Sequence, residues 1–382
     1  MQRRTTDTGW SKGTATGTSA PECGSSVNFG DALAASPLAL VGLLVLGCAS
    51  GSPPESTARA VDPPPEVGLA AAGSPSSTAA QSSASQSEQQ EQPARPENTP
   101  VAEPPAPKPP VLATLSDGTA IAACVDPLPV GMQCIVGGPF IRGTDDGASN
   151  TRPSATVELS TFYMDTYEVT YAQYKACQKA KSCPRSGPQY TDFNHANMPI
   201  QGVSWFDAVA YCEAQGKQLP SEAQWEKAAR GPDGALHPWG AEPATCELAI
   251  IRDATGRSCG LKKAISKPDT GRPWDVGSRP AGVYGLHDMA GNSWEWVADW
   301  YDKSYEKCGE ACTGIDPKGP CDGAEKCAGR WLKIVRGGSW YWEAERATSV
   351  WRRTHKPTNG PFHHFGFRCA ATVTQSETLP RP

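Results

Sequence analysis

The cysteines constrain the fold of this chain more than any other feature. Twelve of the 14 cysteines lie between residues 124 and 369, and an even number in an exported chain predicts a set of disulfide bonds. Short separations predict the bridges Cys124–Cys134, Cys177–Cys183 and Cys246–Cys259. Two more bridges, of open pairing, are expected among Cys308, Cys312, Cys321 and Cys327. These four lack the closely spaced cysteine pair of a zinc ribbon, which argues against a zinc site.

An apolar segment near the N-terminus predicts export. Residues 32–47, ALAASPLALVGLLVLG, carry no charge, but the run is shorter than the ~20 apolar residues of a membrane span. It leads into VLGC at 45–48, which resembles a bacterial lipobox, where the cysteine thiol is lipidated. We therefore expect residues 1–47 to be a lipoprotein signal peptide and Cys48 to carry lipid. An ordinary signal peptide with an incidental Cys48 is the alternative. The lipobox predicts a cell-envelope protein, anchored by lipid to a membrane and facing the periplasm or the exterior.

Composition divides the rest of the chain. The stretch from Gly51 to Leu112 contains 14 prolines and no Phe, Tyr or Trp, so residues 48–112 are predicted to be a disordered tether. Eleven of the 12 tryptophans lie after residue 200. We expect a folded domain over residues 113–374 and a disordered tail over residues 375–382. The net charge of −5 argues against a nucleic-acid partner.

Periodicity within the domain predicts an α+β fold with many loops. The segments MQCIVGGPFIRGT and ATVELSTFYMDTYEVT alternate apolar and polar residues, as strands do. NSWEWVADW and KIVRGGSWY predict two further short strands. Three short helices are predicted after the N-cap residues Thr170, Ser204 and Ser221, and the last two end at Gly216 and Gly231.

Seven motifs occur in one order along this domain: GGPFIRGT, DTYEVTYAQY, MPIQGVSWFDAVAYCEAQGKQLPSEAQWEKAARG, HPWG, GLHDMAGNSWEW, VRGGSW and FGFRCA. The set resembles the formylglycine-generating enzyme, or sulfatase-modifying factor, domain over residues ~130–373. The resemblance implies an elaborated C-type lectin fold and an O2-dependent conversion of a sulfatase cysteine to formylglycine. It also implies structural calcium, a copper ion held by two cysteines after a Gly-Gly-Ser turn, and a bridge between Cys212 and Cys369.

The copper ligands of that family do not carry over. The two cysteine positions fall at Trp342 and Ala347, and no cysteine lies between residues 330 and 368. Copper(I) needs soft thiolate ligands, so copper is not expected and enzyme activity is left uncertain. A second family bridge falls near Ala229 and Arg352–Arg353 and is also absent.

Two function classes follow from the missing thiols. The first is a pseudoenzyme that binds a protein, peptide or glycan of the cell envelope. The alternative is an O2-dependent oxidoreductase, of the formylglycine-generating or nonheme-iron type, that acts on a protein or peptide.

The calcium loop of the family maps onto DMAGNSWE. Asp288 and Glu295 would give side-chain oxygens, and Gly291 and Ser293 would give main-chain carbonyls, which are hard donors that suit calcium. The alternative is that Asp288 caps a turn and Glu295 pairs with an arginine.

A ligand cleft is a further hypothesis from the segment around the Gly-Gly-Ser turn. Residues that could line a cleft for an anionic or sugar-like ligand are Ser339, Trp342, Arg352, Arg353 and His355. The alternative, which we favour from the residues alone, is that the tryptophans belong to the core and the arginines are solvated or paired with acids.

Overall fold

The computed structural model describes residues 109–261, 271–358 and 364–381. The predicted signal peptide, Cys48 and nearly all of the predicted tether lie outside the described residues. The last two tether residues belong to the first strand, so the folded domain begins slightly earlier than predicted. The longest helix that the structure describes has 10 residues. No helix in these ranges combines the length and apolar character that crossing a bilayer requires.

Three helices form where the N-cap residues predict them: α1 (Tyr171–Lys179), α2 (Trp205–Ala214) and α3 (Glu222–Arg230). Each begins with a capping box, in which a Thr or Ser side chain and the third helical residue satisfy backbone N–H groups reciprocally. In α2 the third residue is an aspartate. Two single-turn helices complete the set, α4 (Tyr305–Cys308) and α5 (Val373–Ser376).

The described residues form eleven short strands: β1 (Val111–Thr114), β2 (Ala120–Ala122), β3 (Met132–Ile135), β4 (Gly138–Arg142), β5 (Ala155–Leu159), β6 (Phe162–Asp165), β7 (Trp294–Trp300), β8 (Lys333–Arg336), β9 (Arg353–His355), β10 (Phe365–Gly366) and β11 (Ala370–Thr372). The largest sheet has the order β10-β7-β8-β9, and only β10 and β7 run parallel in it. A second sheet has the order β11-β6-β3, and β1-β2 and β4-β5 are hairpins. The four predicted strand segments are thus confirmed.

Strand β7 lies at the centre of the core because both of its faces are covered. Trp294 and Trp296 pack into one apolar cluster with helix α2 and strand β10. Val297 packs into a second cluster with Trp225 of helix α3 and the β4–β5 hairpin. Alternate residues of a strand point to opposite faces, so one strand contributes to two cores.

Six disulfide bonds use all twelve cysteines of the domain. The bridges Cys124–Cys134, Cys177–Cys183 and Cys246–Cys259 are confirmed, and the bridge implied by the family resemblance joins Cys212 to Cys369. The four remaining cysteines pair with their nearest neighbours, as Cys308–Cys312 and Cys321–Cys327. The sequence had left that pairing open.

The predicted disordered tail is wrong for residues 375–381. Helix α5 includes Gln375 and Ser376, and Ser376 is fully buried. Leu379 packs into a small apolar cluster with Met132 and Tyr163, and the carbonyl of Pro380 accepts a hydrogen bond from the N–H of Val130. The polar composition of this segment led to the wrong prediction. The capping box of Thr372 and Gln375 and the buried side chain of Leu379 hold the segment against the domain.

Candidate functional site

A double-glycine turn organises the segment where the family resemblance places its metal. Strand β8 ends at Arg336, and Gly337 and Gly338 follow with φ angles of 92° and 84°. A Cβ atom on Gly338 would lie 2.9 Å from the carbonyl oxygen of Arg346, and one on Gly337 would lie 3.2 Å from the ring of Trp225. Both positions therefore require glycine, for the positive φ and for the close approach of the chain.

Behind this turn lies a buried cluster of charges. The guanidinium of Arg336 donates to Glu222 and to Glu226, each at 2.8 Å, and all three side chains are almost completely buried. Glu226 also accepts hydrogen bonds from the N–H of Gly143 and the hydroxyl of Tyr305. Paired buried charges fix the position of a chain segment, because any displacement leaves a charge unpaired in the interior.

Arg352 and Arg353, predicted to share a cleft, have different surroundings. Arg352 is 3% exposed and donates to both carboxylate oxygens of Glu222. Burial tends to lower its pKa, but the neighbouring carboxylate outweighs burial and raises that pKa above its ordinary value. Arg353 is half-buried, and its guanidinium lies over the rings of Trp342, Trp294 and Phe365. Arg352 thus belongs to a buried ion pair and does not face a cleft.

The two positions that would hold copper cannot do so. Trp342 packs against the main core cluster, and the guanidiniums of Arg346 and Arg353 lie 4.3 and 5.0 Å from the centre of its ring. Ala347 is 1% exposed and packs against Ala249 and Ile251. Neither side chain offers a donor atom for a soft metal.

The residues predicted to line a cleft lie outside three cavities in the described part of the chain. These cavities have volumes of about 650, 510 and 450 Å³, and residues other than Ser339, Trp342, Arg352, Arg353 and His355 line them. Ser339 is 1% exposed, and His355 packs against Trp296 and Phe365. The cavity of about 650 Å³ lies between helix α2, the start of helix α3 and the loop that contains Asp316 and Glu325.

The predicted calcium loop places two of its residues next to other partners. Both oxygens of Glu295 accept from Arg368, at 2.7 and 2.8 Å, and one also accepts from the indole N–H of Trp225. Asp288, with a φ of 57°, accepts from the N–H of Gly277. Glu295 therefore pairs with Arg368 and Asp288 caps a turn, which is the alternative to calcium given in the sequence analysis.

A third acidic side chain nevertheless lies beside this loop. Glu168 is buried beside Asp288 and Glu295, one of its oxygens has no hydrogen-bond partner, and burial followed by these two neighbours raises its pKa well above its usual range. Burial also raises the pKa of Asp288 to about 6. Within the described ranges no three acidic, histidine or cysteine side chains are placed so that they could hold a metal ion, so calcium would also need main-chain carbonyls such as those of Gly291 and Ser293. Calcium therefore stays a prediction.

The comparison with known families decides what this fold is. Residues 122–373 match the family described as the sulfatase-modifying factor enzyme 1-like domain. The chain belongs to the sulfatase-modifying factor family. The formylglycine-generating enzyme of Thermomonospora curvata is 30% identical over 297 residues, which cover 63% of this chain and 93% of that enzyme.

Two other family comparisons are informative. A mouse protein named inactive C-alpha-formylglycine-generating enzyme 2 is 25% identical over 300 residues, which cover 63% of this chain and 86% of that protein. The structure of PvdO from Pseudomonas aeruginosa has a TM-score of 0.51 at 24% identity and covers 63% of this chain and 94% of PvdO. The second likeness confirms the formylglycine-generating-enzyme-like fold, and it carries no argument about activity.

The buried ion pairs of the sulfatase-modifying factor domain could not be read from its sequence. Helix α3 reads EAQWEKAAR, and four charged residues in nine are typical of a solvent-facing helix. In the structure eight of the nine residues are buried. Arg336 and Arg352, the arginines that pair with these glutamates from outside the helix, lie 110 to 130 residues further along the chain, beyond the reach of any local pattern. Only the ion pair of Glu226 with Arg230 is local, four residues apart in the helix.

Proposed function

We propose that this protein is a non-catalytic, envelope-anchored member of the sulfatase-modifying factor family, a binding or scaffold module without oxidase activity. The main support for the proposal is that the domain has no free cysteine thiol. All twelve cysteines are bonded in pairs, and a tryptophan and an alanine occupy the two positions where the family would present thiols to copper.

The retained scaffold supports the same proposal. The glycine turn, the helix caps and the bridge from Cys212 to Cys369 are present, so the fold is kept while the soft-metal ligands are not. A stable fold with one altered surface is suited to binding, because function depends on sites placed on a fold and not on the fold itself.

An oxidoreductase is the second candidate, and one observation favours it: the identity of 30% to an enzyme named for formylglycine generation. The two candidates differ in what they require of the purified domain. The oxidoreductase needs a redox metal and must consume O2 when a peptide containing Cys-x-Pro-x-Arg is supplied, whereas the binding module needs neither.

Metal analysis and an oxygen electrode separate the two candidates. The purified protein is incubated with copper(I), desalted, analysed for metal and then assayed for peptide-dependent oxygen uptake. The Thermomonospora curvata enzyme, treated identically, is the positive control. The proposal expects no retained copper and no uptake above buffer. One equivalent of copper, or oxygen uptake that requires the peptide, contradicts it.

Export and lipid anchoring at Cys48 belong to the same proposal and need their own test. The full chain is expressed in a bacterium and fractionated, and the mass of the mature N-terminus is measured. We expect a membrane-bound protein that begins with lipidated Cys48, and release of Cys48→Ser from the membrane fraction. A membrane-bound Cys48→Ser protein would contradict the lipid anchor.

A further inference from the structure

Around Trp342 the domain presents unpaired cationic donors at its surface, and from these we infer an oxyanion-binding site. We propose that Trp342, Arg346 and Arg353, here called the arginine–tryptophan surface, bind a carboxylate, phosphate or sulfate group of the ligand. The inference names the ligand chemistry for the binding role proposed above and rests on that role.

The donors of this surface lack partners within the described part of the chain. The guanidiniums of Arg346 and Arg353 form no ion pair and no hydrogen bond there, in contrast to Arg336, Arg352 and Arg368 nearby. The indole N–H of Trp342 is buried and also lacks an acceptor. Unsatisfied donors that are partly removed from water destabilise the protein until an acceptor binds.

The two arginines lie against the same side chain. Both guanidiniums contact the same indole ring, with their central carbons 4.3 and 5.0 Å from its centre. Burial, and then the neighbouring charge of Arg346, lowers the pKa of Arg353. An anion bound beside both would relieve this repulsion, and a guanidinium offers a planar pair of N–H groups that matches the geometry of an oxyanion.

Neighbouring acids do not neutralise the surface. Glu343 is paired with Arg252 at 2.8 Å. Glu345 is exposed and forms no ion pair in the described ranges. On the other side the guanidinium of Arg257 lies 3.6 Å from the ring centre of Tyr341, whose ring is 5.1 Å from that of Trp342. The positive surface therefore continues past the tryptophan.

An NMR titration of the full chain tests the inference. The indole N–H signal of Trp342 is assigned as the one missing in Trp342→Phe. Sulfate, phosphate and acetate are then added separately at an ionic strength held constant with chloride. We expect a saturable shift of that signal with at least one of the three. Preference for sulfate or phosphate assigns a tetrahedral oxyanion, and preference for acetate assigns a carboxylate.

Substitutions of the two arginines test whether they bind the anion. Arg346→Gln and Arg353→Gln are each expected to weaken it roughly tenfold, because each removes a charge-assisted pair of hydrogen bonds. Lys303→Gln, which removes an exposed charge on another loop, is the matched control and is expected to leave it unchanged. If either arginine variant unfolds, Arg→Lys at that position replaces it and is expected to bind several-fold more weakly than the parent.

Two results would overturn the inference: no saturable shift with any of the three anions, or unchanged affinity in both arginine variants. Measuring copper retention and oxygen uptake on the same preparation keeps the two proposals apart. A sample without copper or oxygen uptake and without anion binding rejects this site alone. A sample that retains copper or consumes oxygen rejects the proposed function.

Discussion

Arg352 and Glu222, 130 residues apart in the chain, form two buried hydrogen bonds, from Nε to Oε1 at 2.7 Å and from Nη2 to Oε2 at 2.9 Å. The pair joins helix α3 to the chain that enters strand β9. The sulfatase-modifying factor family resemblance places a disulfide between these same two regions, and this chain lacks its cysteines. An ion pair thus links the elements that the bridge would link.

Arg352→Gln is expected to lower the free energy of unfolding by about 3 kcal/mol, because it removes one of the two arginines that form ion pairs with the buried carboxylate of Glu222. Arg353→Gln is the matched control, since it removes the same charge from the neighbouring, half-buried residue. Urea denaturation of both variants measures the difference. Equal stability of the two variants would show that the pair does not hold the segment.

The long disulfide is expected to stabilise the fold more than the short ones. Cys212 and Cys369 are separated by 157 residues, whereas Cys308 and Cys312 are separated by 4. Loop-closure entropy predicts a loss of about 5 kcal/mol when the first pair is replaced by alanines and about 2 kcal/mol for the second. Thermal unfolding of the two double variants checks the order, and the Cys308–Cys312 variant serves as the control. A reversed order would contradict the entropic argument.

Sequence signals predicted the local parts of this structure well. The capping boxes at Thr170 and Ser221 and the cysteine spacings each depend on residues close in the chain, and each was confirmed. The same local reasoning missed the partners of Glu222 and the anchored tail at Leu379, because burial depends on what distant segments bring. Arg352 and Arg353 are adjacent in sequence, yet Arg352 is buried against Glu222 and Arg353 is half-buried against aromatic rings. The difference arises because neighbouring side chains in an extended chain point to opposite sides.

Removal of calcium tests the prediction at the DMAGNSWE loop. A calcium-specific chelator is expected to lower the melting temperature by several degrees, since an ion that binds only the folded state stabilises it. Asp288→Ala is expected to abolish the response. Asp288 is preferred to Glu295 for this test, because replacing Glu295 also removes the partner of Arg368.

Added calcium, and not an equal concentration of magnesium, is expected to restore the melting temperature of the parent, since flexible sites rich in carbonyl oxygens favour the larger ion. A melting temperature indifferent to the chelator would show that Arg368 and the protonation of nearby acids are sufficient to neutralise this region.

The buried carboxyl of Asp299 predicts how stability depends on pH. Burial, and then the neighbouring Glu222, raises the pKa of Asp299 to about 7, although its carboxyl accepts a hydrogen bond from the N–H of Glu222 and lies near Lys333. The folded protein keeps this proton up to about pH 7, whereas the unfolded chain releases it near pH 4. The stabilisation is therefore complete below about pH 4 and is lost as the pH rises to about 7.

Asp299→Asn cannot titrate and keeps an oxygen that accepts from the N–H of Glu222. Relative to the parent, its free energy of unfolding is expected to increase by at least ~1 kcal/mol between pH 4 and pH 7. Urea denaturation at four pH values measures this difference, and subtraction of the parent cancels the other titrating groups. Asp302→Asn, at a carboxyl whose pKa is lowered despite partial burial because Arg330 is close, is the control. It is expected to lose stability relative to the parent most strongly above pH 4. Parallel curves for Asp299→Asn and the parent would mean that Asp299 is ionised in the fold, with Lys333 as its counter-ion.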